Sequence, residues 1–277
     1  VIRTLVDGVE AGAIPVTDSS VLRGDGCFEA IRSYGGRLFA LGDHLDRMER
    51  SAALLDLPVP DRSVLEGWCR RLAREGGTGI VRVVLTRGGN VPGDDSPPRC
   101  IVIHHPLWEE KQEVRLLPVP APWHPGGRRF ELAGAKTLSY APNLASGRAA
   151  QTAGFDDALL VSWEGMLLEG PTFCVGWMVD GALETPGLDL FVLDSITRRY
   201  VLAEARAMGL ETVEGRFPLE RLEAADEVMA FSTTKEVIPV TAVGERRYSP
   251  GPMAARLREA YLRRVDQEIS AQGGAGR

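Results

Sequence analysis

Lysine is nearly missing from this 277-residue chain: of 32 basic residues, only Lys111, Lys136 and Lys235 are lysines. Any chemistry that needs a primary amine therefore comes from one of three positions. Cysteine is scarce too. Cys27, Cys69, Cys100 and Cys174 stand far apart, with no paired spacing for zinc and no dense disulfide framework. The histidines, His44, His104, His105 and His124, include no helical i, i+4 pair, so no dedicated metal site is expected. There is no basic stripe, and a net charge of -6 argues against a nucleic-acid partner. No apolar run approaches the roughly 18 residues of a membrane span, and no charged-then-apolar leader opens the chain. These absences lead us to expect a soluble cytoplasmic protein that works on neither membrane nor nucleic acid.

What is present suits a globular protein of one large or two modest domains, with 44% hydrophobic and 25% charged residues. Gly26 to Tyr34 alternates as a strand, placing Phe28, Ala30 and Arg32 on one face. Asp43 to Leu57 carries a helical stripe of Leu45, Met48, Ala52 and Leu55, with Asp43 as the expected N-cap. Ser63 to Glu75 is a second helix, and Ile80 to Thr86 and Cys100 to His104 are buried strands. Leu117 to Arg128 holds four prolines and two glycines and is the best linker in the chain. Beyond it we expect a helix over 145–153 and strand pairs about the turns at 163–165 and 179–181. Further helices are expected over 197–208 and from Met253 to about Gln267, before a disordered GGAGR tail. Strands and helices interleave without strict alternation, which indicates an α+β fold. The domains are expected at 1–117 and 129–277, joined by a linker over 118–128.

Three segments carry chemistry. Lys136 sits in GAKTLSYAPN among small residues, away from charged neighbours, and a lysine so placed is a usable carbonyl nucleophile. Lys111, in EEKQE, reads as a solvated salt-bridging residue, and Lys235, in TTKEV, could reach an anion. Glu169 is a lone acid after Met166, Leu167 and Leu168. A carboxylate ending an apolar run needs a partner, and a protonated heteroaromatic nitrogen would serve. Finally, Ser195-Ile196-Thr197-Arg198 opens a helix and Ser232-Thr233-Thr234 forms a hydroxyl-rich turn. Helix N-terminal N–H groups and hydroxyls cradle phosphate, and Arg47 could add a bidentate guanidinium.

In this order, these segments resemble the class IV, pyridoxal-phosphate-dependent aminotransferases of fold type IV. RGDGCFEAIRSYGGRLFALGDHLDRM resembles the family's opening strand, hairpin and helix. AKTLSYAPNLASGRAAQTAGFDDALLVSWEGMLLEGP resembles its lysine block and glutamate strand. DSITRRYVLAEARAMGL and ADEVMAFSTTKEVIPV resemble its two phosphate turns. The resemblance implies a smaller N-terminal α/β domain, a larger C-terminal cofactor domain, a site between them, and a homodimer. It implies that Lys136 forms the internal aldimine with pyridoxal 5'-phosphate and then shuttles the substrate proton. Glu169 would pair with the pyridine nitrogen and Tyr140 with the phenolate oxygen. Arg47, Ile196, Thr197 and Thr233 would hold the phosphate. The chain departs from the pattern at Cys174, where many members carry Asn, and at Ser195, where Gly is common.

Substrate choice is expected at the pocket mouth, with Phe28, Arg32, Arg82 and Thr234 as the substrate-side residues. Arg82 and Arg87 point to opposite faces of their strand, so at most one serves. Arg82 resembles a branched-chain enzyme's carboxylate arginine, but the tyrosine beside it there is Ile80 here. The loop TRGGNVPGDD lacks the Arg and His that D-amino acid enzymes carry. An incomplete carboxylate grip fits an enzyme that accepts amines as well as amino acids. The expected reaction is transfer of an amino group from a D-amino acid or (R)-primary amine to a 2-oxo acid. Aminodeoxychorismate lyase and branched-chain L-amino acid aminotransferase are the alternatives, and a non-enzymatic phosphate-binding module is the remote one.

Overall fold

The computed structural model describes residues 1–109 and 111–274. The chain divides into two compact units. The first comprises Val1–Glu109, Ala135–Tyr140 and the C-terminal residues from Val265, and the second is built from the residues between these segments.

In the first unit the strands are β1 (Arg3–Val6), β2 (Val9–Glu10), β3 (Gly26–Tyr34), β4 (Arg37–Leu38), β5 (Gly79–Thr86) and β6 (Cys100–His105). The helices are α1 (Ser19–Arg23), α2 (Leu41–Leu54) and α3 (Arg62–Gly76). The strands form one antiparallel sheet in the order β2-β1-β6-β5-β3-β4. Its register sets Cys27 opposite Leu85, Glu29 opposite Val83 and Ile31 opposite Val81. These six side chains share one face, because alternate residues of a strand point the same way. Cys27, Ile31, Val81, Val83 and Leu85 pack there with Leu45 and Met48 of α2 and Leu65, Cys69 and Leu72 of α3. The other face carries Phe28, Ala30 and Arg32, with Arg82 directly opposite Ala30.

Helix α2 starts at Leu41, earlier than the sequence pattern indicates. Asp43 lies in its first turn and is not the N-cap. The preceding Ala40 takes a left-handed conformation, and its N–H is satisfied by the carboxylate of Glu268 at 2.8 Å. Asp43 still favours the helix, since a negative charge in the first turn complements the dipole.

The second unit holds β7 (Val114–Pro120), α4 (Ala141–Thr152), β8 (Asp157–Val161), β9 (Cys174–Val179), β10 (Ala182–Pro186) and α5 (Ile196–Ala207). It continues with β11 (Thr212–Gly215), β12 (Glu227–Ser232), β13 (Glu236–Val243), β14 (Arg246–Arg247) and the start of α6 (Pro252–Gly274). A mixed sheet runs β11-β10-β9-β12-β13-β7-β8, with β14 on β13. Val114, Leu116, Leu159, Val175, Trp177, Val228 and Ile238 form one apolar core. Ala158, Leu160, Leu168, Leu190 and Val192 form a second with Ala150 of α4.

The segment expected as a linker, 118–128, begins inside β7. Strand β13 pairs with β7 only as far as Leu116, whereas β8 accompanies it to Pro120. Pro118 and Pro120 thus lie where β7 has a single neighbour, and a missing N–H on the open side is tolerated there. Helix α4 begins at Ala141, four residues before expectation, with Pro142 in the first turn, where no N–H donor is needed. Of the tail expected to be disordered, Gly273 and Gly274 close α6. The remainder lies outside the described residues. Among the described residues no helix is long and apolar enough to cross a membrane.

Candidate active site

Lys136 belongs to a short excursion of the chain that is stitched onto β3. Its N–H donates to Ser51 Oγ at 3.1 Å, its carbonyl accepts from Phe28 N–H at 3.1 Å, and Leu138 N–H donates to the Gly26 carbonyl at 2.8 Å. These bonds fix where the side chain starts. Its Nζ lies 4.4 Å from the centre of the Phe28 ring and 3.4 Å from the Tyr140 hydroxyl. The two rings meet edge to face, with centroids 5.3 Å apart. Among the described residues no carboxylate comes within ion-pair distance of Nζ.

Arg82 also lies over Phe28, its guanidinium 5.0 Å from the ring centre. Burial pushes its pKa below the usual arginine value. Arg87, the alternative, is fully engaged with Asp25 and with the carbonyls of Leu55 and Asp56. Arg32 shares the face of Phe28 but lies over the Tyr34 ring at 5.0 Å.

Arg47 is buried on α2. Its Nε and Nη2 donate to the two oxygens of Glu29, each at 2.7 Å, and His44 Nδ1 is 2.8 Å from the same carboxylate. Burial raises the Glu29 carboxyl, but the neighbouring Arg47 and His44 outweigh it and hold the group far below the usual carboxylate range. Burial also pushes His44 down, which leaves the ring neutral and donating its Nδ1–H to the Glu29 carboxylate. Ser51 links this cluster to the lysine, for its hydroxyl donates to the Arg47 carbonyl while accepting from Lys136. Sequence reasoning missed Glu29 and His44. The signal was present, since Glu29 is an acid on the core-facing parity of a buried strand.

In the second unit Glu169 follows the buried Leu168, and its carboxylate accepts the Leu193 N–H on both oxygens at 3.2 Å. The adjacent Gly170 is pressed against the Phe173 ring, where any Cβ would collide. Helix α5 opens at Ile196 with Ser195 as its N-cap, accepting from Arg198 N–H at 3.3 Å. The N–H groups of Ile196 and Thr197 have no intrahelical acceptor and are available to an anion. Ser232 Oγ pairs with Thr234 Oγ1 at 3.2 Å, which orders the turn that contains Thr233. Lys235 faces the Phe173 ring at 5.3 Å, and burial pushes its pKa down.

The first unit thus brings together Lys136, Tyr140, Phe28 and Arg82, with Arg47 one hydrogen-bonded step away through Ser51. The second supplies Glu169, the Ile196–Thr197 amides and the threonine turn. By residue type alone, the groups held in each unit suit parts of pyridoxal phosphate. An amine stands for its aldehyde, a phenol for its phenolate, a carboxylate for its ring nitrogen, and amides, hydroxyls and a guanidinium for its phosphate.

The chain is similar to known proteins over most of its length. Residues 26–243 match the family described as amino-transferase class IV. A putative branched-chain-amino-acid aminotransferase of Methanocaldococcus jannaschii is 30% identical, over 90% of both chains. A D-alanine aminotransferase of Listeria monocytogenes is 29% identical over 93% of both. An aminodeoxychorismate lyase of Bacillus subtilis is 28% identical, over 93% of this chain and 91% of its own. Among solved structures, a fold IV transaminase of Curtobacterium pusillum superposes with a TM-score of 0.84 at 32% identity, covering 94% of this chain and 99% of its own. A PLP-bound hypothetical aminotransferase of Mycobacterium tuberculosis gives 0.87 at 26%, covering 96% and 99%.

Proposed function

The chain belongs to the class IV aminotransferases, pyridoxal-phosphate-dependent enzymes of fold type IV, and we propose that it moves an amino group from a D-amino acid or (R)-primary amine to a 2-oxo acid. The observation that carries this choice is Arg82. Among the described residues it is the guanidinium beside Phe28 that has no carboxylate or carbonyl partner. One such cation grips one carboxylate, enough for an amino acid or a 2-oxo acid, and an amine donor asks for none. The D-alanine aminotransferase among the relatives supports the D side.

Pyridoxal phosphate, when bound, supplies an aldehyde for the amino group and a ring that takes up the electrons of the broken Cα–H bond. The rest falls to side chains. Lys136 would hold the cofactor at its aldehyde end through Nζ and would move the proton at the substrate Cα. Tyr140 donates its hydroxyl proton to the phenolic oxygen. Glu169 accepts from the ring N–H and keeps that proton in place. The Ile196 and Thr197 amides, the Thr233 hydroxyl and Arg47 hold the phosphate. Phe28 walls the substrate side, with Arg32 and Thr234 shaping its edge.

We further propose a homodimer in the cytoplasm. Exposed Phe130, Leu144 and Trp163 of the second unit support a contact surface, and four buried cysteines without a disulfide suit a reducing compartment.

The test is the visible spectrum of the purified protein with D-alanine, (R)-1-phenylethylamine or L-leucine and no acceptor. Bleaching by the first two and not the third is expected. Bleaching by L-leucine alone would overturn the proposal in favour of the branched-chain alternative. A band that all three leave intact, with pyruvate released from aminodeoxychorismate, would favour the lyase. Lys136→Ala is expected to lose the band while retaining its far-UV circular dichroism.

A further inference from the structure

His124 lies in the turn that follows β7, and its two ring nitrogens face different partners. Nδ1 accepts the N–H of Gly126 at 3.1 Å. A nitrogen that accepts carries no proton, so the neutral ring keeps its proton on Nε2. The turn itself is tied down: His124 N–H donates to the Ala121 carbonyl, Arg128 N–H to Pro125, and Gly127 N–H to Leu190. Gly126 has φ 56°, a left-handed conformation that glycine adopts without strain. The ring is thereby held in one orientation and one tautomer by backbone alone.

That orientation aims Nε2 at Glu169, 3.7 Å from its Oε1. The distance exceeds a hydrogen bond, so the interaction is that of an N–H dipole directed at a carboxylate. It is weakly screened, for only 9% of the His124 side chain and 14% of that of Glu169 is exposed. Among the described residues no lysine or arginine pairs with Glu169, whose other donor is the Leu193 N–H. A donor so placed on one side of the carboxylate favours a single orientation of it.

We infer that His124 is a positioning residue for Glu169: it holds the carboxylate in the orientation that receives the N–H of the cofactor's ring nitrogen. The inference rests on the reading of Glu169 as the partner of that nitrogen. His124 touches neither substrate nor cofactor in this role. It acts through Glu169 alone, as outer-shell groups behind metal ligands do.

Two variants separate this role from a structural one. In His124→Asn the amide oxygen can replace Nδ1 as acceptor for Gly126, but the donor toward Glu169 is lost. In His124→Gln an amide N–H can reach the position of Nε2, but the acceptor is lost. The readouts are the visible band of the cofactor-loaded protein between pH 6 and 9 and the cofactor affinity after dialysis, with thermal melting as the control for folding. We expect His124→Asn to melt as the wild type does, yet to bind pyridoxal phosphate on the order of tenfold more weakly and with an altered band. His124→Gln should recover most of the affinity and the band. A His124→Asn protein with wild-type band and affinity would overturn the inference. So would a normal His124→Asn beside a defective His124→Gln, because the ring would then serve only its own turn. Glu169→Gln is the companion control. If it too leaves band and affinity unchanged, the reading of Glu169 has failed; if it changes them while His124→Asn does not, the inference about His124 alone has failed.

Discussion

Glu29 accepts three hydrogen bonds from two side chains of α2 and has no exposure to solvent. With His44 neutral, the cluster carries one negative and one positive charge. The guanidinium proposed to meet the phosphate is thus already matched by a carboxylate before any ligand arrives. Removing that carboxylate takes a close charge partner from a buried cation, a far greater cost than losing an exposed ion pair. Glu29→Gln is therefore expected to cost about 3–5 kcal/mol, read as a lower urea midpoint at pH 7. An unchanged midpoint would mean that solvent or a neighbour replaces the pairing. Sequence inspection reached Arg47 through the phosphate pattern but missed its partner, because the two meet across a strand-to-helix packing.

At the scale of elements, the decisive feature is the Ala135–Tyr140 excursion, which belongs to the first unit although its chain neighbours belong to the second. Residue types marked Lys136 as the chemical lysine; they could not show that its backbone extends the edge of β3. Ser51 is the hinge of this arrangement, accepting from Lys136 N–H and donating to the Arg47 carbonyl. Ser51→Ala is expected to destabilise the protein by about 1 kcal/mol, since a partly buried N–H loses its acceptor. Urea titration checks it, and a midpoint equal to the wild type would show that the excursion is held by Phe28 and Gly26 alone. Helix limits shifted for similar reasons. The apolar stripe of α2 was legible, but its start depends on Glu268, more than two hundred residues away.

For the molecule as a whole, buried and paired carboxylates dictate an acid limit. Glu29 is held well below its ordinary value, and Asp156 is pushed down to about 2, burial opposing and Lys111 and Arg115 prevailing. Arg221 lowers Glu184, while Arg198 lowers Glu214 against the effect of burial. A carboxyl with a lower pKa folded than unfolded stabilises the fold above its unfolded value near 4, and this is lost as pH falls toward the folded value. Asp157 works the other way, since burial raises it. The lowered groups outnumber it, so the urea midpoint is expected to fall steadily from pH 5 to pH 3. A flat profile over that range would contradict the pairings described here.

The sequence by itself determined the family and the α+β class, and it singled out Lys136 as the candidate lysine. Those follow from the order of motifs and the periodicity of apolar residues, and both are properties of neighbours along the chain. Tertiary structure alone decided that Arg47 is matched by Glu29, that Arg87 is taken by Asp25 while Arg82 is not, and that His124 faces Glu169. Each of these depends on strand register or on where a turn lands, and electrostatic partnership falls off over a few ångströms in space whatever the separation in sequence.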